Sequence, residues 1–82
     1  MAERVNQHLN PIIGSNIKRL RLERGMKANE VIAKLQLKNV NVTTGIFSKV
    51  ENGRNNPSVS MIIALAEIFN VNYDEFFKRK DD

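Results

Sequence analysis

The sequence lacks cysteine altogether and contains a single histidine, His8. Without cysteine, neither a disulfide nor a cysteine-based zinc site can support the fold. One histidine cannot hold a metal ion by itself. We therefore expect neither a metal site nor a cofactor.

The sequence also lacks any apolar run near the ~20 residues that are needed to span a bilayer. Its polar beginning, MAERVNQHLN, has no hydrophobic segment of the kind found in signal peptides. We therefore expect a cytoplasmic protein that makes no membrane contact. Thirteen Lys and Arg residues against nine Asp and Glu residues give a formal net charge of +4, which favours an anionic partner.

Groups that could perform catalysis are scarce as well. An active site needs titratable side chains that converge in a pocket, but His8 lies in an N-terminal stretch without hydrophobic periodicity. The acidic residues occupy positions that indicate helix surfaces or helix starts: Glu23, Glu30, Glu67, Asp74 and Glu75. These patterns argue against an enzyme, and no separate domain for a small-molecule ligand is evident.

What remains is a pattern for one small domain, because 82 residues can build only one hydrophobic core. We expect residues 1–10 to form a flexible arm, residues 11–79 a folded domain and residues 80–82 a short tail. Arg4 and His8 could touch a nucleic acid, but a frayed terminus is the simpler interpretation of the arm.

Apolar residues at helical spacing predict an all-α fold of five helices without strands. The first helix, about 11–24, starts after Asn10 with Pro11 at its first position, and Gly25 ends it. The second helix follows within MKANEVIAKLQLKN, although Lys27 is a poor residue for its cap.

Threonine and serine caps predict the next two helix starts. Thr43 caps a third helix over about 44–52, which Gly53 ends, and Ser58 caps a fourth helix. A last short helix is expected over about 73–79. We expect four apolar side chains of the third and fourth helices to be buried together: Phe47, Val50, Leu65 and Phe69.

Three stretches carry a resemblance to a known family: IGSNIKRLRLERGM, FSKVENGRNNPS and LAEIFNVNYDEFF. With the order of the helices, they resemble the lambda-repressor/Cro-like (XRE-type) helix-turn-helix family over about residues 12–77. The resemblance implies a five-helix DNA-binding domain that regulates transcription as a repressor. It also implies a homodimer on double-stranded DNA, with the third helix in the major groove.

The resemblance assigns roles to individual residues. Base contacts would come from Thr44, Gly45 and Lys49; Lys49 can donate to guanine, whereas Gly45 has no side chain to read with. DNA backbone contacts would come from Thr43, Ser48, Asn52, Arg54 and Asn29. Asn52 could equally be a helix C-cap and Arg54 a solvated charge. Arg21 and Glu51 would form a partly buried salt bridge whose disruption costs about 3–5 kcal/mol.

Two departures from the family pattern keep a second function open. Relatives often carry a phosphate-binding Gln where this chain has Ala28, and the segment QLKNV, residues 36–40, adds length before the third helix. Ala28, Gly45 and an exposed Ile46 favour a protein-interaction module or antitoxin-like partner with weak or no specific DNA binding.

Overall fold

The computed structural model describes residues 11–79, and within this range the chain forms four α-helices and one 3-10 helix. The α-helices are α1 (Ile12–Glu23), α2 (Ala28–Leu37), α3 (Thr44–Glu51) and α4 (Val59–Phe69), and the 3-10 helix is Tyr73–Phe77. No strand occurs in this part of the chain, so the all-α prediction is confirmed. The predictions for the arm and the tail fall outside the described residues. Pro11, expected at the first position of the first helix, is instead the residue before it, because its ψ of 46° is not helical and α1 begins at Ile12.

Side-chain caps begin α3 and α4 as the sequence predicts. Thr43 Oγ1 accepts a hydrogen bond from the backbone N–H of Ile46 at 3.2 Å, and Ser58 Oγ accepts one from Met61 at 3.1 Å. Each bond satisfies one of the backbone donors that the start of a helix leaves without a partner. The two caps therefore fix where α3 and α4 start.

The start of α2 uses a different device. Lys27 occupies the cap position and has no side-chain oxygen that could accept a hydrogen bond from the helix. The carboxylate of Glu30 instead accepts the backbone N–H of Lys27 at 3.1 Å. This is the reverse half of a capping box, and a negative charge in the first turn also suits the helix dipole.

The last short helix, expected over about 73–79, is a 3-10 helix over Tyr73–Phe77. The backbone N–H of Glu75 donates to the carbonyl of Asn72, a bond that spans three residues. A stretch this short gains few hydrogen bonds against the cost of helix nucleation, and single turns commonly adopt the tighter 3-10 form. Full burial of Phe76 holds the element in place.

Side chains from all five elements meet in one core. Phe47, Val50, Leu65 and Phe69 are each exposed by 1% or less, which confirms their predicted burial together. Helix α3 packs against both α1 and α2. The core thus holds one face of α3 and leaves the other face free.

Gly14 permits a close approach between α1 and α3. A Cβ atom at this position would lie 2.1 Å from the carbonyl oxygen of Val50, far inside van der Waals contact. Only glycine lets the two backbones meet at this distance. The first half of α1 therefore lies directly against the C-terminal end of α3.

Candidate nucleic-acid interface

Helix α3 has a buried face and an exposed face. Phe47 and Val50 point into the core, one helical turn apart, and fix the rotation of the helix. The opposite positions are all exposed, and they are the positions that the sequence predicted as DNA contacts: Thr43, Thr44, Gly45, Ser48, Lys49 and Asn52. The structure therefore gathers these residues on one surface of one short helix.

The C-terminal end of α3 is closed by a turn that places Asn52 and Arg54 at the surface. Gly53 has a φ of 78°, its N–H donates to Val50 at 3.1 Å, and the N–H of Arg54 donates to Lys49 at 2.8 Å. This pair of bonds is a Schellman motif, which needs a left-handed residue at the position of Gly53. Asn52 is the C-cap residue, and its side-chain amide stays exposed near Ser48 Oγ at 3.5 Å.

The additional segment 36–40 is divided between the end of α2, which includes Gln36 and Leu37, and a turn over 38–40. Helix α2 ends at Leu37, and the backbone N–H of Val40 donates back to Leu35 at 2.9 Å. The side-chain amide of Gln36 donates to the carbonyl of Val42 at 3.3 Å. Val42 itself is buried in the core, so the connection into α3 is held at both of its ends.

Two neighbouring residues at the start of α2, Ala28 and Asn29, differ in burial. Ala28 is half-buried and packs against the core. Asn29 is exposed in the first turn of α2. The position that resembles the phosphate-binding Gln of relatives is therefore used for packing in this chain.

A two-pronged ion pair ties α1 to the end of α3, as the sequence predicts. Arg21 Nε donates to Glu51 Oε2 at 2.8 Å and Arg21 Nη2 donates to Glu51 Oε1 at 3.1 Å. Arg21 Nη1 also donates to the carbonyl of Met26 at 3.0 Å. The side-chain hydrogen bonding to Glu51 raises the pKa of the Arg21 guanidinium above its ordinary value.

The ion pairs leave particular cations unneutralised. Among residues 11–79, carboxylates pair with Arg19, Arg21, Arg24, Lys38 and Lys78. In the same range, no carboxylate pairs with Lys18, Lys27, Lys34, Lys49 or Arg54. Lys49 and Arg54 both belong to the surface formed by α3 and the turn after it.

Comparison with known families agrees with this geometry. A family described as helix-turn-helix matches residues 17–76, which include α2, the turn and α3. The chain belongs to the lambda-repressor/Cro-like (XRE-type) helix-turn-helix family. Searches of the curated proteins and of the solved structures give no match.

Membership of this family makes the chain a DNA-binding helix-turn-helix of the type found in transcription regulators. Such domains present the N-terminal part of one helix to base edges while a second helix braces it. In this chain, α2 and α3 are consecutive helices that pack against each other. Within residues 11–79, no helix is long and apolar enough to cross a membrane, and no cluster of potential metal ligands occurs.

Sequence reasoning missed Asn16, which is a polar residue inside the helix-turn-helix fold. Its side chain is 6% exposed, and its Nδ2 donates to the carbonyls of Phe76 at 2.9 Å and Lys78 at 2.8 Å. Its Oδ1 accepts from Arg19 Nε at 3.3 Å. The only available signal was its position between Ile13 and Leu20, where one turn of α1 carries a polar residue on the apolar side.

Proposed function

We propose that the protein is a sequence-specific repressor that binds double-stranded DNA with α3 in the major groove. One observation carries this proposal: α3 is fixed by its buried face and exposes a short polar face with an unpaired lysine. A helix of this size fits the major groove, which is about 12 Å wide. Family membership supports DNA as the partner.

Lys49 is the principal base reader in this proposal. Its ammonium group is exposed and can donate to guanine O6 and N7. Thr44 offers a hydroxyl donor or acceptor and a methyl group that can contact thymine. Gly45 adds no functional group, and open space surrounds it, so the helix backbone can approach the bases closely here.

The remaining exposed residues would hold the DNA backbone. They are Thr43, Ser48, Asn52, Arg54 and Asn29, all of which have polar or charged side chains at the surface. Contacts of this kind fix the register of a protein on the duplex without reading its sequence. Arg54 should contribute most, because it adds a full positive charge that displaces a counterion.

Repression follows from occupancy in this proposal. A domain seated over a promoter excludes polymerase without contacting it, so no further chemistry is required. We also propose a homodimer, because one copy of α3 carries few base-reading side chains and a second copy doubles them. Each copy would bind one half-site, and the two half-sites would be related by the same symmetry as the two copies.

Two substitutions separate reading from holding. We expect Lys49→Ala to cost about 1–3 kcal/mol on a preferred site selected from random duplexes, and to relax the preference at one base position. We expect Arg54→Ala to weaken binding to all DNA sequences alike. The slope of log affinity against log salt concentration should become smaller by about one, because one phosphate contact is lost. Titrations against selected and scrambled duplexes at several salt concentrations measure both effects.

Lys34→Ala is the matched control. Like Lys49, Lys34 is an exposed lysine without a carboxylate partner in the described part of the chain, but it lies on α2, outside the proposed contact surface. This substitution should leave the base preference unchanged. If the parent binds no duplex above background, or if Lys49→Ala and Arg54→Ala bind as the parent does, the DNA proposal fails. The interaction module, favoured by an Ile46 side chain that is 42% exposed on α3, would then replace it.

A further inference from the structure

Helix α1 and the end of α3 together line a shallow groove on the surface. Ser15 and Lys18 line it from α1, and Asn52 lines it from α3. Next to it in α1, Gly14 lets the backbones of α1 and α3 lie close together. At its open end, Pro11 lies against Gly53, where an added Cβ would come 2.6 Å from Pro11 Cβ.

Charge in this groove is unevenly neutralised. Glu51 lines it but is paired with Arg21, and Arg19 lines it but is paired with Glu23 and Glu75. Lys18 also lines it and has no carboxylate partner within residues 11–79. The groove therefore carries one uncompensated positive charge beside two neutral hydrogen-bonding side chains, Ser15 and Asn52.

We propose that this groove is a second binding site for the DNA backbone, in which Lys18 contacts a phosphate next to the one held by Asn52. The inference rests on the proposed function, because it takes Asn52 as a backbone contact at the edge of α3. It extends the DNA contact surface from the helix-turn-helix itself to α1. A lysine acts at such a site as a mobile point charge with three donors.

Lys18 sits well for this role because α1 cannot move independently of α3. The Gly14 contact and the Arg21–Glu51 ion pair join the two helices. Asn52 lines this groove and also belongs to the exposed surface of α3, so Ser15 and Lys18 lie beside the surface that is proposed to contact DNA. Phosphates follow one another every ~3.4 Å of helix axis along each strand, so a second phosphate lies close to the one that Asn52 would hold.

The salt dependence of DNA binding tests the proposal. Raising the salt concentration about fourfold weakens binding by about 3.5-fold for each phosphate contact. Over that salt range, the fold-loss of affinity should therefore be about 3.5 times smaller for Lys18→Ala than for the parent. The difference should be the same on selected and scrambled duplexes. Lys18→Arg keeps the positive charge, so its log affinity should depend on log salt concentration as that of the parent does.

Lys34→Ala is again the matched control, because it removes the same charge from an exposed helical site outside the groove. If Lys18→Ala and Lys34→Ala show the same slope as the parent while Arg54→Ala shows a smaller one, the groove does not bind DNA although the proposed function stands. If the parent itself binds no duplex, the proposed function and this inference fall together. We expect each variant to keep the fold, since Lys18 and Lys34 are exposed, and thermal unfolding of each variant checks this.

Discussion

At the scale of single residues, Gly45 is unfavourable for the stability of α3 but is explained by the proposed DNA contact. Glycine inside a helix costs roughly 0.5–1 kcal/mol relative to alanine. A Cβ added at Gly45 would meet no other atom within 4 Å, so the fold gives no reason for glycine here. The proposed close approach to base edges does give one.

We expect Gly45→Ala to raise the free energy of unfolding by up to about 1 kcal/mol and to weaken binding to the preferred DNA site. The gain arises from the reduced freedom of the unfolded chain, and the loss arises because the methyl group occupies the gap between the helix and the bases. Chemical unfolding and DNA titration of the same variant measure the two effects. A variant that is more stable and binds DNA as the parent does would place Gly45 outside the DNA interface.

Asn16 illustrates at the same scale why some residues escape sequence analysis. Its hydrogen-bond partners are backbone carbonyls about 60 residues further along the chain, at Phe76 and Lys78. No local pattern specifies which carbonyls a buried amide will meet, because tertiary packing decides this. Burying an unsatisfied amide would cost about 1–3 kcal/mol, so the pairing accounts for a polar residue at this depth.

At the scale of elements, the 3-10 helix is held to α1 by charge as well as by Phe76. Arg19 Nη2 lies 3.2 Å from Glu75 Oε1, and Lys78 Nζ lies 3.7 Å from Glu75 Oε2. The hydrogen bond from Arg19 lowers the pKa of Glu75 below its ordinary value of 4.5. A carboxylate with a lowered folded-state pKa stabilises the fold above its unfolded pKa, and this contribution is lost as the pH falls through the folded value.

We therefore expect Glu75→Gln to lower the melting temperature near neutral pH and to reduce its decline below about pH 4.5. Parent and variant should approach each other at acid pH, where Glu75 is protonated in the parent. Thermal melts from about pH 7 to about pH 3 test this. Glu67→Gln is a control, because Glu67 pairs with Lys38 at an exposed site between α2 and α4. Parallel curves for parent and Glu75→Gln throughout the range would contradict the assignment.

Elements were predictable from the sequence where local chemistry decides them. Three features depend on only three or four neighbouring residues each, and the structure contains all of them: the Thr43 cap, the Ser58 cap and the turn at Gly53. The 3-10 helix was less predictable, because a segment this short can close its turn with either hydrogen-bond spacing. For the candidate site, the exposed face of α3 followed from the buried spacing of Phe47 and Val50. The groove beside α1 did not, since it depends on how α1 and α3 pack against each other.

At the scale of the whole molecule, the pairing of charges divides the surface. The carboxylates in the described part of the chain that make ion pairs neutralise cations on α1, at the end of α2 and around the 3-10 helix. In the same part of the chain, Lys49 and Arg54 around α3 have no carboxylate partner, and neither have Lys18 on α1 and Lys27 and Lys34 on or next to α2. A formal net charge of +4 is therefore more useful for binding an anion than its size indicates, because part of the surplus lies beside the proposed reading helix.

The dimensions of the molecule suit a pair of copies on DNA. Its principal extents are 33 × 30 × 21 Å, and successive major grooves on one face of B-DNA recur every ~34 Å. The width of one copy is thus close to the spacing between successive major grooves. This geometry leads to the expectation of a homodimer on an inverted repeat.

We expect two copies to bind cooperatively when the half-site centres are about 10 base pairs apart. Moving the centres to about 15 base pairs places the second half-site on the opposite face of the duplex, so cooperativity should be lost. Sedimentation of protein–DNA mixtures gives the stoichiometry at each spacing, and a duplex with one half-site is the control. A 9.4 kDa species alone in free solution, together with one-to-one binding at both spacings, would contradict the dimer and show that one copy of α3 suffices for recognition.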